Sequence, residues 1–303
     1  MIADQVSSRV PLIRDVGSYV VQSGGKRIRP LVVLLSAKAC GYAGSGHVPL
    51  ATLVEFLHSA TLLHDDVVDD SDLRRGSLTA KTKWNNSTSI LVGDFIYSRA
   101  FQLMVGLDSM RVMEVMSNAT HIIAEGEVMQ LVNIGNTELD EPSYLEIIRR
   151  KTALLFQAAA HTASILSQAR EQHAHALQEF GLRFGMAFQL MDDWLDYAGD
   201  SSVMGKNAGN DLAEGKLTLP LIHTIANGSK AEANLVRRAI QFRAKDRLED
   251  VLDAVRRAGS LDYTRESVLK QIEQAVGLLA RVPDGIYRNG LESLAHYLID
   301  RTD

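Results

Sequence analysis

Apolar positions recur at steps of three and four along most of the chain. In the middle of the sequence Leu145, Ile148, Thr152, Leu155 and Ala159 follow this spacing, the period of a helix that buries one face. The pattern predicts helices over 50–68, 89–107, 109–132, 143–168, 174–197 and 218–226. Each is rich in Ala, Leu, Met, Glu and Gln, which lose little freedom in a helix. The remainder, 232–303, reads as further helices with more surface charge. No sustained two-residue alternation, Asn-Gly hairpin or fixed repeat interrupts this. Prolines fall at predicted boundaries (Pro30, Pro49, Pro142, Pro220, Pro283), and Gly-, Ser- and Asn-rich breaks lie at 41–46 and 199–209. No linker is long enough to separate domains, so the expectation is one all-α domain over 1–303.

Composition changes this picture little. A hydrophobic fraction of 46% is enough for a sizeable core. The net charge of −5 provides no general basic field for nucleic acid. The first residues, MIADQVSSRV, contain no apolar core of a secretory signal, and no apolar run approaches the roughly 18 residues of a membrane span. The single cysteine, Cys40, cannot form an internal disulfide, which fits a reducing compartment.

The chemistry concentrates in LLHDDVVDDSDLRRG, 62–76. Asp65, Asp66 and Asp69 form a D-D-x-x-D set, and Asp70, Asp72, Arg74 and Arg75 follow closely. On a helix Asp65 and Asp69 share a face. Two carboxylates about 6 Å apart repel by roughly 3 kcal/mol at an effective dielectric near 20, so such a pair beside an apolar groove calls for a cation. Oxygen donors without Cys or His suit a hard ion, Mg²⁺ or Ca²⁺. Alone, the stretch reads equally well as a solvated helix end. The same spacing returns far along the chain in Asp192, Asp193 and Asp196, again at the end of an apolar helix. Two acidic faces meeting across one cleft would need several cations and an anionic ligand such as a diphosphate. Other phosphate devices fail. After Gly199 the spacing to Lys206 does not match a nucleotide loop, and Arg74 and Ala80 occupy the positions where a calcium hand beginning at Asp69 needs Gly and Glu. Basic groups suited to a second diphosphate lie in Gly24-Gly25-Lys26-Arg27-Ile28-Arg29-Pro30, where guanidinium forks and a compact ammonium grip phosphate.

GGKRIRP, LLHDDVVDDSDLRRG, GDFIYSRAF, KTALLF, FQLMDDWLDY and GKNAGNDLAEGK, in that order, resemble the trans-type polyprenyl diphosphate synthases from about Tyr19 to the C-terminus. Within that family the likeness is to bacterial long-chain members that make octaprenyl diphosphate for quinones. The resemblance implies an all-α bundle of the isoprenoid synthase type with a central apolar cavity. It also implies a Mg²⁺-dependent (or Mn²⁺-dependent) condensation of isopentenyl diphosphate with an allylic diphosphate such as farnesyl diphosphate. Asp65, Asp69 and Asp192 would hold the metal ions, with Asp66, Asp193 and Asp196 assisting directly or through water. Arg74, Lys151, Thr152, Gln189, Lys206 and Lys216 would hold the allylic diphosphate, and Lys26, Arg29, His58 and Arg75 isopentenyl diphosphate. Asp65, Asp69, Asp192, Lys151 and Lys206 would carry the catalysis. A cytoplasmic homodimer that passes its product to a membrane prenyltransferase completes the expectation. Leu217 departs from the proline that many relatives carry after the last lysine.

Product length is expected at eight isoprene units, with nine as the alternative. The small residues Ala60 and Thr61, five and four positions before Asp65, would line the top of a tunnel, and Phe101, Met104 and Met116 its wall or floor. Three rivals stand beside this reading: a shorter-chain synthase, a terpene cyclase, and a regulatory subunit of a heteromeric synthase. A cyclase has no use for GGKRIRP or for the second arginine of RRG, and regulatory subunits tend to lose an aspartate set where this chain keeps both.

Overall fold

A computed structural model describes residues 5–74, 76–198 and 209–300. The chain is 77% helical and 1% strand, in line with the all-α expectation. Two compact units are distinguished, Met1–Met116 with Ala159–Arg170 and Ser117–Ala158 with Glu171–Asp303.

The first unit opens with α1 (Pro11–Gln22), where Pro11 begins the helix at a position whose N–H has no intrahelical partner. Helices α2 (Ile28–Ala39) and α3 (His47–Val68) follow. A two-residue antiparallel pair, β1 (Leu73–Arg74) and β2 (Ser77–Leu78), then leads to the short α4 (Ala80–Lys83) and to α5 (Asn86–Val105). Asn85 caps α5 by accepting from the Thr88 N–H at 2.8 Å. The next helix, α6 (Met110–Val132), begins in this unit. The main packing is α3 against α5. Between Leu50 and Leu57 every residue of α3 is buried, so this helix shows no one-sided stripe. Close packing has a local cause at Gly93, where a Cβ would lie 2.4 Å from His64 Nε2.

In the second unit Asp140 caps α7 (Glu141–Ile148), accepting from the Ser143 N–H at 2.9 Å. A π-helical turn, Arg149–Ala153, comes next and runs into α8 (Leu154–Leu166). The long α9 (Glu171–Ala198) pairs with α14 (Ser260–Leu279), which follows α10 (Asn210–Glu214), α11 (Leu219–Asn227), α12 (Lys230–Gln241) and α13 (Leu248–Arg257); α15 (Ile286–Tyr297) closes the described chain. Phe156, Phe180, Phe184 and Phe188 form an aromatic core, with ring centroids 5.2 Å apart for Phe156–Phe184 and 5.3 Å for Phe156–Phe188.

Two features depart from expectation. The predicted helix over 143–168 divides at the π turn, and a β-pair stands where no strand was expected. The pair is too short to leave a periodic trace.

Candidate active site

In the first unit α3 delivers the first acid set. The Asp69 N–H donates to the Asp65 carbonyl at 2.8 Å, which places the two side chains one turn apart on one face. Asp66 points elsewhere. It is only 4% exposed and accepts from Arg74 Nε at 2.7 Å. Burial raises its pKa more than the Arg74 charge lowers it, with Asp65 and Asp69 adding repulsion. Arg74 reaches Asp66 because the β-pair is anchored at several points. Asp70 turns the chain off the helix with a left-handed φ of 52°. Lys81, its side chain 7% exposed, donates to the Asp70 carboxylate and lies 3.4 Å from that of Asp72. This contact holds the Asp70 pKa below its ordinary value. Thr79 Oγ1 donates to the Ser71 carbonyl at 2.8 Å, and Tyr19 OH to that of Leu78 at 2.6 Å. Asp70 and Asp72 thus brace the β-pair.

The basic segment meets α3 nearby. Arg29 Nη1 lies 3.1 Å from His58 Nε2; arginine can only donate, so Nε2 accepts and the neutral ring carries its proton on Nδ1. Arg27, at φ 50°, donates to the buried Glu55 carboxylate and, at 2.7 Å, to the Val21 carbonyl. Lys26 is exposed on the same segment. Arg27, Glu55, His58, Asp66 and Arg74 line a cavity of about 50 Å³. It brings Asp66 of the α3 set, the β-pair and Arg27 of the basic segment together within this unit; Asp65, Asp69, Lys26 and Arg29 do not line it. Arg75 lies outside the described residues.

In the second unit α9 delivers the other set. Asp193 is 3% exposed; it accepts from Tyr144 OH, and from Gln189 Nε2 at 2.7 Å. Burial and repulsion from Asp192 and Asp196 push its pKa up to about 7 against the pull of those two donors. Asp196 accepts from the N–H groups of Asn210 and Asp211 at 3.1 and 3.0 Å, so it helps fix the start of α10; burial raises its pKa too. Asp192 is half-buried. Thr152 Oγ1 donates to Gln189 Oε1 at 2.8 Å. That contact depends on close backbone approach, because a Cβ on Gly185 would lie 2.5 Å from the Ala153 Cα. Lys151 contacts Gln130 Oε1 at 2.6 Å and Glu127 Oε2 at 2.5 Å, and Lys216 contacts Glu214 at 2.6 Å. Leu217 is buried. Lys206 lies outside the described residues.

The residues expected to set chain length lie in the first unit. Ala60, Met104 and Met116 are fully buried, while Thr61 and Phe101 are half-buried. Sequence reasoning missed Tyr144, Arg27, Glu55 and Lys81. Tyr144 sits at an apolar-periodic position and reads as core; nothing local points to a carboxylate 49 positions away. Arg27 alone had a signal, its place among the cations of GGKRIRP.

Comparison with known proteins settles the family. A model of the polyprenyl synthetase family matches residues 10–257. The chain belongs to that family. This synthetase is 48% identical over 301 residues to octaprenyl diphosphate synthase of Escherichia coli (strain K12), covering 99% of this chain and 93% of that one. It is 44% identical to the geranyl-diphosphate-specific all-trans-nonaprenyl-diphosphate synthase of Rhodobacter capsulatus, covering 99% and 92%. A crystal structure of polyprenyl synthase from Caulobacter crescentus CB15, complexed with calcium and isoprenyl diphosphate, superposes with a TM-score of 0.95 at 41% identity, covering all of this chain and 93% of that one. The all-α fold is therefore that of the isoprenoid synthases, and the enzyme is a prenyltransferase of the long-chain trans-polyprenyl type.

The donor set of the synthetase fits a hard divalent ion. Among the described residues no three His, Cys, Asp or Glu side chains converge as a closed metal cage. An ion that keeps its waters and takes one or two carboxylates plus substrate phosphate needs none. No helix among the described residues is long and apolar enough to cross a membrane.

Proposed function

We propose that this synthetase extends farnesyl diphosphate by repeated addition of isopentenyl diphosphate to an all-trans product of eight isoprene units, used as a quinone side chain. The observation that carries the reading is the shared design of the two acid sets. In each the second aspartate, Asp66 or Asp193, is buried and hydrogen-bonded inside the protein, while Asp65, Asp69 and Asp192 remain half-buried. The inner carboxylate fixes the helix end, and the outer ones are the groups for ions.

Asp65, Asp69 and Asp192 would hold Mg²⁺, with Asp66, Asp193 and Asp196 supporting them. Bound Mg²⁺ would neutralise charge growing on the departing diphosphate. Lys151, Lys206, Lys216, Thr152, Gln189 and Arg74 orient the allylic diphosphate and stabilise the same charge. The allylic C–O bond breaks, and the carbon becomes a cation. Lys26, Arg29, His58 and Arg75 hold isopentenyl diphosphate so that its double bond supplies the electron pair for the new C–C bond. A proton then leaves to the released diphosphate, so no protein base is required. The growing tail runs past Ala60 and Thr61 toward Phe101, Met104 and Met116.

Cytoplasmic placement follows from the family reading, with the product handed to a membrane prenyltransferase. A homodimer is supported by the exposed Met110, Val128 and Val132 on α6 and Leu91 on α5, a set that suits a second copy of the chain.

The test is incubation of the purified chain alone with farnesyl diphosphate, labelled isopentenyl diphosphate and Mg²⁺, followed by chromatography of the products. A labelled eight-unit product is expected. A cyclised hydrocarbon without label would mark a terpene cyclase, and no turnover without a second chain would mark a subunit of a heteromeric enzyme.

A further inference from the structure

Four side chains in the second unit form one buried relay of hydrogen bonds. Tyr144 OH donates to Asp193 Oδ2, Gln189 Nε2 to Asp193 Oδ1 at 2.7 Å, and Thr152 Oγ1 to Gln189 Oε1 at 2.8 Å. Tyr144 and Asp193 are each 3% exposed and Thr152 8%. The chemistry of the donors fixes the direction of the relay. Both Asp193 oxygens accept in these contacts, and an amide donates only through its nitrogen, so the Gln189 N–H₂ end faces Asp193. The amide carbonyl is then left facing Thr152, whose hydroxyl hydrogen is committed to it. One amide proton of Gln189 serves Asp193. Remove the phenolic hydroxyl and Asp193 loses one of its two named donors. The carboxylate can then rotate, and the hold it has on the Gln189 amide through Nε2 loosens with it.

The geometry points to Tyr144 as a positioning residue for the allylic diphosphate, acting through Asp193 on Gln189 and Thr152. This rests on the assignment of Gln189, Thr152 and Asp192 to that substrate. Tyr144 lies on α7, whose entry is fixed by the Asp140 cap. The Tyr144–Asp193 bond therefore joins α7 to α9, and the Gln189–Thr152 bond joins α9 to the π turn that follows α7. The two bonds hold the π turn, and Lys151 with it, at a set position along α9. Asp66, the matching aspartate on α3, has a guanidinium partner and no comparable relay among the described residues.

The test is steady-state kinetics of Tyr144→Phe, which removes only the hydroxyl and keeps the ring in the core. Loss of one hydrogen bond to a charged group should cost about tenfold or more in kcat/KM for the allylic diphosphate. KM for isopentenyl diphosphate should stay within about twofold, since none of its assigned residues is in the relay. In an Asp193→Asn background the same change should cost less than about twofold further, because the group through which Tyr144 acts is already altered. This second comparison is made within one background and holds even if Tyr144→Phe alone folds poorly. A fall in melting temperature with both KM values at parental levels would reduce Tyr144 to a structural role and overturn the inference. So would equal rises in the two KM values, or full additivity with Asp193→Asn. Asp192→Ala serves as the control for the underlying assignment. If it abolishes turnover while Tyr144→Phe has parental constants, the site stands and the positioning role falls. If Asp192→Ala turns over normally, the site assignment itself is wrong, and the inference goes with it.

Discussion

On α3 the buried aspartate of the acid set, Asp66, is met by a guanidinium; on α9 its counterpart, Asp193, is met by a phenol and an amide. The two sets have the same spacing and the same division between buried and half-buried carboxylates. They differ in the charge of the partner. Arg74 opposes the cost of burial directly, whereas Tyr144 and Gln189 bring dipoles and no net charge. Asp193 consequently sits among like-charged neighbours with a proton affinity raised to about 7. A carboxylate held by neutral donors depends more on nearby cations than one with its own arginine.

The largest expected effect tests whether the two sets are equal partners. Asp65→Ala and Asp192→Ala should each lower kcat by about 10²–10³-fold, with circular dichroism of the metal-free protein unchanged, because removing a repelling carboxylate does not cost the fold. Near-parental turnover in either variant would break the symmetry and the metal assignment with it. A second experiment compares the residues five positions before each set, Ala60 on α3 and Ala187 on α9, both fully buried. Ala60→Tyr should stop the tail early and shift products to about three or four units while Mg²⁺-dependent turnover continues. Ala187→Tyr should lower the melting temperature and leave product length alone. An active Ala60→Tyr enzyme that still makes the parental chain would exclude that position from the tunnel. A shortened product from Ala187→Tyr would show that both lead-in helices line it.

The smallest effect concerns pH. A carboxylate whose folded pKa is raised holds its proton more tightly when folded, so its contribution to stability falls as pH rises from the unfolded value, near 3.8, through the folded one. Asp66, Asp193, Asp196 and Asp211 all shift in this direction. His47 and His223, whose pKa values are lowered by burial, act with the opposite sign. The four carboxylates should outweigh them, and the metal-free chain should melt at a lower temperature at pH 8 than at pH 5. Asp193→Asn should flatten the slope, which thermal melts across that range would measure. An unchanged slope would assign the dependence to other groups.

Much of this was legible in the residues. Helix-forming composition and apolar spacing place α3, α5, α6 and α9 to within a few positions, since long helices repeat their signal over many turns. The acid sets are legible because several like charges beside an apolar run are rare without a purpose. What escaped has a common cause. Tyr144, Glu55 and Lys81 gain their roles from partners brought close only by folding, and nothing in their own neighbourhoods announces it. Asp70 and Asp72 illustrate the reverse case. They look like part of the acid set in the sequence, yet their contacts are with Lys81, and their role is to hold Arg74 in place.

The π turn at Arg149–Ala153 has a further meaning in terms of helical phase. A π turn accommodates one residue more than the α-helix around it, and each residue of an α-helix advances the side chains by about 100°. From Leu154 onward the side chains are therefore rotated by about that angle from where an unbroken helix starting at Glu141 would carry them. Thr152, inside the turn, takes part of this rotation and donates to Gln189 on α9, while Tyr144, eight positions earlier, reaches Asp193 on the same helix. Deleting a single residue from 149–153 would let the turn relax to α, swing the following helix out of phase, and separate two contacts that the sequence keeps only by carrying one residue too many.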